Sequence, residues 1–154
     1  MNKEIRKLIG NFIDKEPCYI RVGSLKSLSI GFGRLVESHQ HVKGLKYAEW
    51  DVGSYDGFWR IMEGNKIICL KDNDEDIACL NEKVNKIKLG SLSKIEMITD
   101  IDVRLRFNSG IHIDFIAAIS DDDEHFHIFC PENKYVELAS TGKWILGKSN
   151  TPWK

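Results

Sequence analysis

The sequence predicts an α+β fold: a mainly antiparallel, twisted β-sheet, shaped as a sandwich or half-barrel, with an N-terminal helix packed on it. Three observations carry this expectation. Ile5, Leu8, Ile9, Phe12 and Ile13 recur at i, i+3, i+4, i+7 and i+8, which makes one apolar stripe of a helix. From Cys18 onward the period drops to two, the signature of strands. Late in the chain, residues 101–107 and 111–118 read as two strands joined by Asn108-Ser109-Gly110, a three-residue loop ending in glycine that suits a hairpin with a bulge. At 154 residues the chain is long enough to bury a sizeable core, and it reads as one domain, 1–154.

The helix is expected over residues 3–16, with Pro17 ending it, because the residue before a proline avoids helical backbone. Ile20 and Val22 then alternate with Tyr19 and Arg21. After Gly23, Leu28, Ile30 and Phe32 alternate with Ser27, Ser29, Gly31 and Gly33. Small residues on one strand face point to close packing or a bulge. The Gly-Phe-Gly run lacks the third glycine and the following helix of a dinucleotide site. Residues 37–44 form a polar loop with His39 and His41. Residues 47–61 suggest two strands around a Gly-Ser turn, with Trp50 and Trp59 supplying core area, and residues 65–70 a further strand after Gly64. Lys71–Gly90 reads as helix or strand. Ile77, Leu80, Val84 and Ile87 suit a helix that Asp72 or Asp74 could cap and Gly90 could close.

In the late hairpin, setting Phe107 opposite Ile111 places Leu105 opposite Ile113 and Val103 opposite Phe115, so one face is wholly apolar. The other face pairs Arg104 with Asp114 and Arg106 with His112. Residues 124–130 are expected to fold back as a third strand beside 111–118. That register puts Phe126, Ile128 and Cys130 in the core, and His125, His127 and Phe129 on the wet face. Residues 135–140 and 143–149 extend the sheet around a turn at Thr141-Gly142.

Composition bounds the function. Lysine and arginine total 22 against 23 acids, without the basic excess of a dedicated nucleic-acid binder. No apolar run reaches the roughly 18 residues of a membrane span. The N-terminus lacks the apolar core and cleavage site of a secretory signal, so a cytoplasmic location is expected. Cys18, Cys69, Cys79 and Cys130 are scattered and read as reduced thiols, mostly buried.

His125 and His127 form H-x-H, a spacing used on strands for metal ligation, with His112 nearby. In the expected register His112 lies about two pairs along from His127, too far to share an ion. Asp72, Asp74 and Asp76 alternate as in a calcium loop, but Ile77 stands where glycine is needed and Lys83 where glutamate belongs. No serine sits in G-x-S-x-G and no cysteine in an activating signature. The expectation is a non-enzyme with no cofactor.

The stretches GSLKSLSIGFGR, YAEWDVGSYDGFWRI and VRLRFNSGIHIDFIAAISDDDEHFHIF resemble a group of small, β-rich bacterial proteins. In that group a glycine-containing strand precedes a W-R-I segment, and a late glycine-turn hairpin leads to an acidic-aromatic pair, with Phe126 here in the position of an expected tryptophan. The resemblance spans roughly residues 23–130. Some such proteins resemble immunity proteins of contact-dependent inhibition and related toxin systems. The resemblance implies a cytosolic protein that binds a cognate toxin domain, such as a cationic nuclease, and neutralises it stoichiometrically. The acidic stretches Asp72, Asp74, Glu75, Asp76 and Asp121, Asp122, Asp123, Glu124 are then the candidate contacts, since concentrated charge steers association. The oligomeric state is left open. Two alternatives stand beside this reading: a non-catalytic adaptor or subunit of another complex, and a metal- or histidine-dependent enzyme.

Overall fold

A computed structural model describes residues 1–37, 46–55, 57–72, 74–117 and 124–149. Among these residues the chain forms two helices and eleven strands in two antiparallel sheets. The helices are α1 (Lys3–Gly10) and α2 (Ile77–Asn85). The strands are β1 (Pro17–Val22), β2 (Leu28–Glu37), β3 (Lys46–Ser54), β4 (Phe58–Glu63), β5 (Lys66–Leu70), β6 (Leu92–Met97), β7 (Val103–Phe107), β8 (Ile111–Ile116), β9 (Glu124–Cys130), β10 (Lys134–Ala139) and β11 (Trp144–Lys148). One sheet has the order β1-β2-β3-β9-β10-β11, the other β5-β4-β8-β7-β6. The chain changes sheet between β3 and β4 and returns between β8 and β9. The alternating apolar residues of both sheets join one cluster, and the rings of Phe115 and Phe126 meet edge-on at 5.2 Å to link the two sheets.

Helix α1 is shorter than the stripe suggested. The Asn2 side chain caps its N-terminus, accepting from Ile5 N–H at 2.9 Å, and the helix ends at an Asn11 cap, six residues before Pro17. A left-handed Asp14 turns the chain afterwards. Ile5, Ile9 and Phe12 still enter the core, Phe12 against Phe32 at 5.2 Å, so the apolar period outlasts the helix. The small face of β2 combines close packing with a bulge. A Cβ on Gly31 would lie 2.5 Å from the Tyr19 ring, and Gly33 takes φ +85° where the β2–β3 register shifts.

The β7–β8 hairpin has the expected register, with Val103 opposite Phe115, Leu105 opposite Ile113 and Arg104 opposite Asp114. Its third strand does not. Strand β9 pairs with β3 and β10, while β4 occupies the free edge of β8. Alternation specifies which face of a strand is buried, and Phe126 and Ile128 are indeed in the core. It is silent on which edge lies alongside, and Trp59 and Ile61 of β4 extend the same apolar face. The expected Gly-Ser turn is not one: Gly53 and Ser54 are the last residues of β3, opposite Ser29 and Leu28, and β4 starts at Phe58 in the other sheet. Strand β6, with no reading from sequence, covers the far edge of β7.

The segment after β5 is helical. Its cap is Asp76, which accepts from Cys79 N–H at 2.7 Å, and neither Asp72 nor Asp74. The helix stops at a Lys86 cap, short of Gly90, whose φ of +73° lies just ahead of β6. All four cysteines are free, but only Cys69 and Cys130 are buried.

Candidate functional site

Every second residue of the six-stranded sheet turns away from the core. Register lines these residues up in two rows. One runs Tyr19, Gly31, Asp51, Phe129, Tyr135 and Gly147. The next runs Arg21, Ser29, Gly53, His127, Glu137 and Ile145. A face of this kind ordinarily meets water. Here Asp51, Glu137, His127 and Tyr135 are all at least nine-tenths buried. The expected wet face is therefore a packed polar layer.

Gly31 makes part of this layer possible. With no side chain of its own, it lets the Tyr19 ring lie across it to donate its hydroxyl to Asp51. Ser29 Oγ donates to the same carboxylate at 2.6 Å, and the Arg21 guanidinium lies 3.7 Å from the Tyr19 ring centroid. Burial pushes the Asp51 carboxyl up, opposed by the bonds from Ser29 and Tyr19. Burial and the neighbouring carboxylate push the Tyr19 hydroxyl up in turn.

At the other end of the layer, Glu124 joins two groups. One carboxylate oxygen meets His127 Nδ1, and the other accepts from the Tyr135 hydroxyl. The side chain of Glu124 is thus turned inward and 5% exposed. The Tyr55 ring lies tilted beside His127 at 4.5 Å, and Phe129 approaches the same imidazole edge-on at 5.1 Å. Burial first, then Glu124 and Asp51, push the Tyr55 hydroxyl up to about 12. Glu137 lies opposite His127, its carboxyl raised by burial first and by Glu124 second. The layer holds three carboxylates, Asp51, Glu124 and Glu137, around one histidine.

The second charged face belongs to the five-stranded sheet, where two guanidiniums enclose one carboxylate. Asp114 is fully buried and takes Arg104 Nε at 2.6 Å, Arg104 Nη2 at 2.9 Å and Arg60 Nε at 3.0 Å. Burial would raise its carboxyl, but the two guanidiniums hold it below the usual range. This is a structural ion network of the kind that tolerates no missing partner.

The residues singled out in the sequence are dispersed. Asp72 accepts from Asp74 N–H at 2.8 Å, Glu75 pairs with Lys83, and Asp76 caps α2, so three of these four acids have local structural work. Asp121, Asp122 and Asp123 lie outside the described residues, as do His39 and His41. His112 belongs to one sheet and His125 and His127 to the other, and among the described residues no group of three or more side chains is arranged to hold a metal ion. Sequence reading missed Asp51, Tyr135 and Glu137. The available signal was a carboxylate or tyrosine on the polar phase of a strand, which ordinarily marks a solvated position. No protein-family model matches the chain, and neither does any curated protein or solved structure.

Proposed function

We propose that the chain is a cytosolic bacterial immunity protein that binds a cognate, cationic toxin domain one-to-one and neutralises it without turnover. In this reading the two sheets form a sandwich, α1 packs against it, and the whole is a single domain. The observation that supports it is the excess of carboxylate over cation on the outer face of the six-stranded sheet. A desolvated carboxylate gains most from a cation that arrives together with a water-excluding surface, which is what a protein partner supplies. The sequence resemblance points the same way. Of the acidic residues expected to make contact, Glu124 is the one that belongs to this face.

The test is co-expression with the toxin domain encoded beside this chain. Cells producing both should grow, and the two proteins should elute as an equimolar complex. Equal killing with and without this chain sinks the proposal.

A further inference from the structure

We propose that the groove between α1 and the β9–β10 turn is a binding site for a small organic anion with an oxyanion head and an apolar body. The inference goes beyond the binding function proposed above and uses none of the outer acidic face. Trp50, which lines the groove, lies opposite Phe32 on the core phase of β3, whereas Asp51 turns the other way.

Two donors meet there without an acceptor. The Nε1–H of Trp50 is shut from water and, among the described residues, has no hydrogen-bond partner. A buried indole N–H ordinarily finds one. The ammonium of Lys15 lies 4.8 Å from the centroid of the same ring. The carboxylate that feels its charge, Glu49, is already paired with Arg34 at 2.8 Å. An oxyanion is the group that answers an indole N–H and an ammonium together. The Lys15 chain swings off the ring as the anion enters, which opens the N–H to it.

The groove has room for more than a bare ion. Its volume is about 450 Å³, within the range of small-molecule sites. Leu8 and Pro131 supply apolar wall, and Lys7 and Lys134 bring ammoniums from two further elements. Glu4 and Glu132 line it too, and Glu132 is held by Lys134 at 3.1 Å. Three lysines against two glutamates leave the groove cationic, although the chain as a whole carries 22 basic and 23 acidic residues. Charge therefore selects an anion at this place, and the apolar wall selects one with a carbon body.

The experiment titrates the full, isotopically labelled chain with hydrocinnamate, with its neutral amide and with inorganic phosphate, followed by NMR. The Trp50 indole N–H resonance is identified by its loss in Trp50→Phe. Hydrocinnamate should shift that resonance saturably. The amide should bind roughly tenfold more weakly, because a charged acceptor makes the stronger hydrogen bond. Phosphate, a head without a body, should also bind more weakly. Lys15 is exposed, so Lys15→Gln should leave the amide spectrum of the core in place while lowering hydrocinnamate affinity roughly tenfold. An unmoved Trp50 resonance overturns the inference. Equal binding of the amide, equal binding of phosphate or full affinity in Lys15→Gln overturns it too. Equal shifts at Trp59 and Trp144 do the same, since they would mark uptake without a site.

Discussion

At the scale of single residues, burial decides the chemistry more than residue type does. His125 is 5% exposed, and its Nε2 has no hydrogen-bond partner. Burial pushes its imidazole below the ordinary value of 6.5. The folded state therefore binds this proton less readily than the unfolded chain. Above pH 6.5 the site is neutral in both states and costs nothing. As pH falls below 6.5 the unfolded state is protonated first, and stability declines. His112 is shifted in the same direction, by burial first and then Arg104, so it adds to the decline. Urea titrations at pH 7 and pH 5 should show His125→Asn losing less stability on acidification than the natural chain. An identical loss in both would mean that His125 is protonated in the fold. The pairing of Arg104 with Asp114 was legible in the sequence because it follows from strand register. The inward turn of Glu124 was not, because it depends on Tyr135, which arrives from a later strand.

Among the elements, local signals left the α2 segment open between helix and strand and, on the helical reading, named the wrong cap; of its four apolar positions Leu80 and Val84 are buried, Ile77 is exposed and Ile87 lies past the helix end. Three aspartates precede the helix at alternating positions, and any of them has the chemistry of an N-cap. The geometry selects Asp76, whose carboxylate reaches Cys79 N–H, while Asp72 makes a turn at Asp74. Asp76→Ala should cost about 1 kcal/mol in chemical denaturation. Asp74→Ala should cost almost nothing, and the reverse order would reassign the cap. Helix α1 teaches a related lesson. Its apolar stripe continues to Phe12 although the helical backbone stops at Gly10, because a buried side chain needs only to point inward.

In the whole molecule, Phe126 is one of the buried residues through which the two sheets share a core. It contacts Phe115 across the core and Trp144 at 6.2 Å within its own sheet. Phe126→Ala should destabilise by about 3–5 kcal/mol, and both sheets should unfold in one transition. Two separate transitions would show that the sheets are independent units. The sequence by itself determined the strands other than β6, the apolar faces they bury, the β7–β8 register and the turn glycines Gly64, Gly110 and Gly142, because these depend on alternation and backbone freedom within a few residues. Only the tertiary structure decided that β9 leaves β8 for β3 and β10, and that Asp51, Glu124, Glu137 and His127 share one dry face. Period-two patterning sorts side chains into two faces but carries no information on which strand will be the neighbour, or on whether water will reach the polar one.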